Sequence, residues 1–321
     1  MSQNKGVLVF SEDVELTLEM LGKGRELADK LQAELAVLAI GSNAQQEANE
    51  FTRYGADKVH TVEDPALERF TFEPYLEILY KLVVNSKPEI VLIGSTRNGK
   101  PVAARLAMRL GTGCIPDCIS LNLDAERRLV GERVTYGGNA VAKIAFKTKP
   151  QIATVPARAF GKPAPNERHG QILVFESQTP QAKVQIIDEK PLQTSVIRIE
   201  EAETIISCGR GLEKKEDMKL LDDTSKVLCG QVGCSRPLAE DRKWFSEWIG
   251  LSGHKVRPKL YIACGISGVI QHVAGIRDAK IVVAINKDPE APIFEVADYG
   301  VVGNLYEILP ALRDALQKQL Q

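Results

Sequence analysis

The sequence predicts an α/β protein of two domains, each built on a mainly parallel sheet. Short apolar runs that end in glycine or turn residues alternate with stretches of helical periodicity. A chain of 321 residues is long enough for two cores. The segment from Arg158 to Pro191 is rich in proline and polar residues, as domain boundaries often are. We therefore expect one domain over residues 1–190 and another over residues 195–321.

The first domain begins with a regular alternation of strand and helix signals. Its predicted elements, in order, are strand Gly6–Phe10, helix Val14–Leu31, strand Glu34–Ile40, helix Gln45–Tyr54, strand Lys58–Val62, helix Pro74–Asn85, strand Ile90–Ile93 and helix Val102–Leu110. Parallel strands need such crossover helices, so the pattern predicts a mainly parallel sheet covered on both faces.

Extended segments without helices between them follow this alternation. They are Cys118–Leu123, Leu129–Val134, Ala140–Thr148 and Gln151–Val155. With a tight turn at Tyr136-Gly-Gly-Asn139, they predict an antiparallel addition to the first sheet. Gln171–Phe175 is a further short strand, and Lys183–Ile187 is a candidate edge strand.

The second domain shows its strongest pattern in its last strands. Its predicted elements are strand Thr204–Ser207, helix Glu216–Thr224, strand Val227–Cys229, strand Leu260–Cys264, helix Val269–Ala274, strand Ile281–Ile285 and helix Leu305–Leu320, which Pro310 breaks near its start. The turn Gly265-Ile-Ser-Gly268 joins a strand to a helix, where backbone N–H groups can bind phosphate and glycine leaves room for it. Many α/β proteins need glycine there only to reverse the chain. Asn286 follows the next strand, at an edge where such sheets bind ligands.

Composition narrows the possible functions. The balance of 41 basic and 42 acidic residues gives a net charge of −1, which offers no argument for binding nucleic acid or an anionic membrane. We expect no transmembrane segment, because no apolar run is long enough. The chain starts at Met1 without a signal segment, which predicts a cytoplasmic protein, although a processed organellar protein would look the same. Six sparse cysteines at non-metal spacings predict small buried side chains and no metal site.

Several motifs in the second half together resemble one known signature. They are Gly209-Arg-Gly211, Ser235-Arg236, Gly265-Ile-Ser-Gly268 with Gln271-His272, Asn286-Lys-Asp-Pro-Glu-Ala-Pro-Ile-Phe294 and Val296-Ala-Asp-Tyr-Gly300. This set resembles the FAD-binding signature of the α subunit of electron transfer flavoproteins, strongly over roughly the last 120 residues and more loosely before them. The resemblance implies a Rossmann-like second domain that binds FAD.

The resemblance also implies a set of cofactor-binding residues. They are Arg210, Ser235, Arg236, Gly250, Leu251, Ser252, Ser267, Gly268, Val269, Ile270, Gln271, His272, Asn286, Asn304 and Leu305. Arg236 would lie near the isoalloxazine and raise its reduction potential, since a fixed cation favours a negative ring. Ser252 would lie near flavin N5, and His272 would donate to flavin O2. Asn304 stands where the family has an acid that binds adenosine.

Family membership would make the chain an electron carrier without catalytic residues of its own. The first domain would pack on a β subunit that holds a second FAD or AMP, and an acyl-CoA dehydrogenase or similar flavoenzyme would be a partner. Leu251-Ser-Gly253 replaces the Gln-Thr-Gly of many members and resembles the electron-bifurcating branch. That branch oxidises NADH and also reduces ferredoxin or flavodoxin. The alternative is a carrier without bifurcation, from acyl-CoA dehydrogenases to a quinone reductase.

Other interpretations stay open at this stage. Gly94-Ser-Thr-Arg-Asn-Gly-Lys-Pro101 precedes a helix, as an anion site would, but its order is not that of a P-loop. We expect this loop to face a partner chain, with ligand binding as the alternative. The second half could belong to a nucleotide-dependent enzyme of the deoxyhypusine synthase or sirtuin kind, with His272 as the catalytic candidate. The first half alone suggests a nucleotide-binding module of the universal-stress type.

Overall fold

A computed structural model of the protein describes residues 5–165, 170–177, 182–188 and 199–320. The chain divides into two compact units, Met1–Glu189 and Lys190–Gln321. Pro180, Pro191 and the predicted boundary near Ser195 lie outside the described residues. Within the described residues, no helix has both the length and the apolar character that crossing a bilayer requires.

The first unit contains ten strands and four helices within its described residues. The strands are β1 (Val7–Phe10), β2 (Leu35–Gly41), β3 (Lys58–Glu63), β4 (Ile90–Gly94), β5 (Cys114–Ile115), β6 (Cys118–Leu123), β7 (Leu129–Thr135), β8 (Ala140–Ala145), β9 (Gln151–Val155) and β10 (Gln171–Val174). The helices are α1 (Val14–Leu31), α2 (Ala44–Arg53), α3 (Phe72–Ser86) and α4 (Gly99–Arg109).

Local signals set the limits of these helices. Asp13 caps α1 by accepting a hydrogen bond from the Leu16 backbone N–H at 3.1 Å. Gln32 ends the same helix in the left-handed conformation, with φ at 50°. Such caps act within a few residues, and the predicted bounds of α1 are confirmed.

Seven of the strands form a parallel sheet in the order β10-β3-β2-β1-β4-β9-β5. One face packs against α1 and α2, and the other packs against α3 and α4. The alternation along β1 explains the division, because Val7 and Val9 belong to one core, whereas Leu8 and Phe10 belong to the other. The predicted parallel sheet with two covered faces is confirmed.

The antiparallel addition forms a separate sheet of β6, β7 and β8. Its apolar side chains Cys118, Leu121 and Leu129 join the core on the α1 side. Gln151–Val155 does not belong to it, because β9 pairs in parallel with β4 and is buried throughout. The candidate edge strand at Lys183–Ile187 was wrong, since those residues form no strand.

The second unit has five strands and four helices within its described residues. The strands are β11 (Thr204–Cys208), β12 (Gln231–Cys234), β13 (Leu260–Cys264), β14 (Val282–Asn286) and β15 (Tyr299–Val302). The helices are α5 (Met218–Val227), α6 (Arg236–Glu240), α7 (Ile270–Ile276) and α8 (Leu305–Leu320). The strands are all parallel, in the order β12-β11-β13-β14-β15. The core of one face includes Ile276 of α7, and that of the other includes Leu221 of α5, Leu238 of α6 and Leu309 of α8.

Two predictions in this unit need correction. The strand expected at Val227–Cys229 is the end of α5, because Gly230 N–H returns to the Ser225 carbonyl at 2.8 Å and closes the helix. The strand starts at Gln231, which pairs with Ile205 of β11. Pro310 does not break α8, which runs continuously through it. Two elements, β15 and the short helix α6, were not predicted from the sequence.

Candidate functional site

The chain order of the second sheet marks a crevice between β11 and β13. From β11 the chain passes to β12 on one side and later to β13 on the other. The connections that follow β11 and β13 therefore leave in opposite directions along the sheet. Open parallel sheets bind ligands at such switch points, outside the carboxyl ends of the strands. This carboxyl edge is the candidate functional site.

The loop that follows β11 and the loop that follows β13 pack against each other through their backbones. Gly209 N–H donates to the Cys264 carbonyl at 3.0 Å, and Gly211 N–H donates to the Gly265 carbonyl at 3.1 Å. A Cβ atom on Gly209 would lie 2.4 Å from the Gly265 carbonyl oxygen, so no larger residue fits. Glycine is therefore required by contact between the loops as well as by chain reversal. The loops hold Arg210, an exposed side chain, at the mouth of the crevice.

The 265–269 loop (Gly265 to Val269) is fixed from behind. The side-chain amide of Asn286 donates to the Ile266 carbonyl at 2.9 Å, and Ile293 N–H donates to the Ser267 carbonyl at 3.1 Å. Gly268 has a φ of 85°, and a Cβ atom there would lie 2.2 Å from the Ile293 nitrogen. Asn286 thus orients this loop with its amide.

The front of the 265–269 loop offers free hydrogen-bond donors. Within the described residues, the backbone N–H groups of Ser267, Gly268 and Val269 donate to no protein acceptor. The Ser267 side chain is exposed beside them. Adjacent N–H groups without partners form a concave donor site that suits phosphate oxygens.

A second cation lies at the end of β12. Arg236 is exposed and lies over the Trp248 ring, with 5.6 Å from its guanidinium carbon to the ring centre. Ser235 before it is buried, and its N–H donates to the Cys208 carbonyl at 2.9 Å. Across the part of the chain that the structure describes, neither Arg210 nor Arg236 has a carboxylate partner. Both charges are available to an anionic ligand.

The 249–253 loop (Ile249 to Gly253) adds an apolar contribution to this edge. Ile249 forms a parallel bridge with Ser235, and Leu251 N–H donates to the Gln271 carbonyl at 2.7 Å. Ser252 and Leu251 are both exposed. Leu251, Val269 and Ile270 are 45–55% exposed and give this edge an apolar surface. These side chains suit a ligand with a flat apolar ring system.

His272 lies inside the unit and not on its surface. Only 4% of the residue is exposed, and burial lowers its pKa to about 4, so the ring is neutral at neutral pH. Nδ1 lies 3.0 Å from the Ile249 carbonyl, which can only accept, so Nδ1 carries the proton. Nε2 then accepts from the Tyr261 hydroxyl at 2.9 Å. The expected donation to flavin O2 does not fit this geometry, because both ring nitrogens have internal partners.

The last two predicted residues lie where α8 begins. The side-chain oxygen of Asn304 accepts a hydrogen bond from Tyr306 N–H at 3.1 Å and so caps the helix. Leu305 is buried in the core, which leaves only its backbone for a ligand. The structure thus brings the predicted residues together near the carboxyl edge, with the side chains of His272 and Leu305 turned into the core.

Sequence reasoning missed the partners that hold this edge in place. Tyr261 is completely buried beneath His272, and His254 lies between the carboxylates of Glu200 and Glu247. The uninterrupted apolar run of β13 could have indicated that Tyr261 is buried. Glu200 and His254 are 54 residues apart in sequence, and no local pattern relates them.

Three of the cysteines align at the ends of neighbouring strands. Cys208 pairs in register with Cys234 on one side and with Cys264 on the other. All three are buried, and burial raises the pKa of the Cys234 and Cys264 thiols to about 12. These thiols remain protonated at neutral pH and are unreactive core side chains.

The loop at Gly94–Pro101 in the first unit has polar side chains that bond to neighbouring side chains. Ser95 donates to the Asp117 carboxylate, and Thr96 donates to the Glu12 carboxylate. The Lys100 ammonium lies 2.9 Å from the Asp117 carboxylate. These contacts use the hydroxyls and the lysine that an anion would need, so they favour a structural role.

Comparison with known proteins gives matches along both units. A family model described as the electron transfer flavoprotein domain matches residues 7–180, and one described as the electron transfer flavoprotein FAD-binding domain matches residues 198–277. The chain is 36% identical to the electron transfer flavoprotein subunit alpha of Thermoanaerobacterium thermosaccharolyticum, with 99% of each chain covered.

Two further relatives have different names. The chain is 37% identical to the lactate dehydrogenase (NAD(+),ferredoxin) subunit LctC of Acetobacterium woodii, over 96% of this chain and 76% of that one. It is also 37% identical to protein FixB of Rhizobium meliloti, over 95% of this chain and 90% of that one.

Proposed function

Because this chain belongs to the electron transfer flavoprotein α-subunit family, we propose that its second unit binds one FAD along the carboxyl edge of its sheet. The observation that carries the proposal is the convergence of Arg210, Arg236 and the free N–H groups of the 265–269 loop at the switch point. Arg210 and the loop supply the cation and the N–H donors that a diphosphate needs, and Arg236 supplies a second cation for the flavin ring. The exposed Leu251 and Val269 suit the flavin ring.

Each group at the edge has a role in this proposal. Arg210 and the N–H groups of Ser267, Gly268 and Val269 bind the diphosphate. Arg236 lies by the flavin ring and favours negative charge on it, which raises its reduction potential. FAD, when bound, accepts and releases the electrons. The protein binds and orients the cofactor and sets the charge around it.

Other predicted residues act mainly by positioning. Asn286 orients the 265–269 loop through its bond to the Ile266 carbonyl. Asn304 caps α8 with its oxygen and keeps its amide N–H groups for the adenosine part of FAD. Ser252, at the tip of its exposed loop, is the hydroxyl that we assign to flavin N5. The backbone beside Gly250, Ile270, Gln271 and Leu305, rather than their side chains, completes the contact surface.

We assign the first unit to contact with an electron transfer flavoprotein β subunit, which would hold a second FAD or AMP. The relative LctC carries NAD(+) and ferredoxin in its name, which supports the same electron donor and acceptor here. The complex would then oxidise NADH and reduce ferredoxin or flavodoxin and a second flavoenzyme. The alternative is a carrier that receives electrons from an acyl-CoA dehydrogenase and does not use NADH.

The test is a count of flavins followed by titration with NADH. The chain is purified with its β subunit, bound FAD is quantified, and NADH is added without a dehydrogenase. Two FAD per heterodimer, both bleached by NADH, support the bifurcating complex. One FAD that NADH does not bleach, but that an acyl-CoA dehydrogenase with substrate does, supports the simple carrier. Absence of flavin would refute the proposal.

A further inference from the structure

His254 lies between two carboxylates at the base of the 249–253 loop. Its Nδ1 contacts the Glu200 carboxylate, and its Nε2 lies 2.9 Å from the Glu247 carboxylate. Glu200 comes from the short helical turn before β11, and Glu247 comes from the segment before the loop. A neutral imidazole has only one N–H, whereas carboxylates at neutral pH only accept. Both contacts can therefore be hydrogen bonds only if the ring is an imidazolium.

The backbone of the same residue closes the 249–253 loop. His254 N–H donates to the Trp248 carbonyl at 2.8 Å, and Gly250 N–H donates to the His254 carbonyl at 3.0 Å. Ile249 and His254 also form a bridge. The tip of this loop carries Leu251 and Ser252. The backbone of His254 thus closes the base of the loop, while its ring contacts Glu200 and Glu247.

We propose that His254 is a positioning residue: an imidazolium held by Glu200 and Glu247 that fixes the 249–253 loop for contact with the flavin. The inference rests on the proposed function, because the loop is assigned to FAD there. Residue 254 makes no contact with the cofactor in this proposal. It acts by holding Gly250 and the tip residues in one conformation.

The contacts of the His254 ring with Glu200 and Glu247, which we call the His254 brace, should weaken as pH rises. The hydrogen bond to Glu200 raises the pKa of His254, and the charge of Glu247 acts in the same direction. Both groups that face the ring are acidic, one on each side. When pH rises through the raised pKa, the ring loses a proton and one of its two hydrogen bonds. The loop should then become more mobile, and FAD should bind more weakly.

Two measurements on the full-length chain test the brace. NMR of 13C-labelled histidine follows the ring of His254, and hydrogen exchange follows the peptide that contains the 249–253 loop. In the wild-type protein the ring should titrate above the ordinary histidine range. His254→Gln should speed hydrogen exchange of the loop about tenfold, because the variant loses its charge-assisted hydrogen bonds and a tenfold change corresponds to about 1.4 kcal/mol. Lys259→Gln, which breaks the exposed pair with Glu203, is the matched control and should leave exchange unchanged.

The pH dependence of FAD affinity distinguishes this role from a merely structural one, which would not make FAD binding follow the titration of His254. Wild-type affinity should fall about tenfold above the titration midpoint of the ring. His254→Lys keeps a cation and should remove this fall. If His254→Gln does not fold, Glu247→Gln should lower the midpoint and weaken FAD binding part of the way. Equal hydrogen-exchange rates and equal pH profiles of FAD affinity in wild type and variants would overturn the proposed role of His254. Failure of the wild type to bind FAD would overturn the proposed function alone.

Discussion

Acidification should destabilise the second unit because His272 must then gain a proton inside its core. The ring is neutral, donates to the Ile249 carbonyl and accepts from the Tyr261 hydroxyl. Protonation would place a second N–H against the hydroxyl oxygen and a charge where only 4% of the residue meets solvent. The unfolded chain accepts the same proton without this cost.

The size of the effect follows from the shift in pKa. Burial lowers the pKa of His272 from 6.5 to about 4, so the unfolded state binds the proton first as pH falls. Stability should therefore decrease by about 1.4 kcal/mol for each pH unit within this window, or about 3 kcal/mol in all. Above about pH 6.5, His272 is neutral in both the folded and the unfolded state and does not make stability depend on pH.

His254 should act in the opposite direction and in a different window. Its pKa is raised in the folded state, so the stability that it contributes is complete below 6.5. That stability is lost as pH rises through the raised value. These two histidines together should give the second unit its greatest stability near pH 6.5.

The assay is urea unfolding followed by tryptophan fluorescence between about pH 4 and 8. Both tryptophans, Trp244 and Trp248, belong to the second unit and report its unfolding alone. His272→Gln cannot titrate and should lose the slope between about pH 4 and 6.5 relative to wild type. His60→Gln is the matched control, since His60 is also partly buried but lies on β3 of the first unit. Parallel curves for wild type and His272→Gln would refute the reasoning.

Three further predictions concern the proposed FAD site. Arg236→Gln should lower the reduction potential of the flavin by about 10–40 mV for one electron, and the effect stays this small because solvent screens an exposed charge. Potentiometric titration will measure the potential, with Lys259→Gln as the control, and equal potentials in the two variants would contradict the role of Arg236. Gly268→Ala should abolish the retention of FAD on gel filtration, because residue 268 has a φ of 85° and a Cβ atom there would lie 2.2 Å from the Ile293 nitrogen. Gly161→Ala is the control and should retain FAD, because a Cβ atom at residue 161 would have no neighbour within 4 Å. Asn304→Ala should cost about 1 kcal/mol of unfolding free energy through the lost cap of α8, and an unchanged urea midpoint would count against that cap.

Local sequence patterns predict most of the strands and helices, and also the sheet edge where function is proposed. Caps and periodicity act over a few residues, so α1 and β13 could be predicted with their observed bounds. The carboxyl ends of parallel strands meet at one edge, so the motifs after β11, β12 and β13 were bound to converge. Strand starts such as Gln231 were less predictable, because pairing with β11 sets them.

Tertiary contacts, in contrast, set which side chains face the edge and which support it from the core. His272 matches a ligand-binding motif in sequence, yet its partners Ile249 and Tyr261 enclose it in the core. The contact of Glu200 with His254 joins residues that are distant in the chain. Side-chain direction and long-range pairing depend on how loops pack on the finished sheet, and that packing is a property of the whole unit rather than of any local stretch.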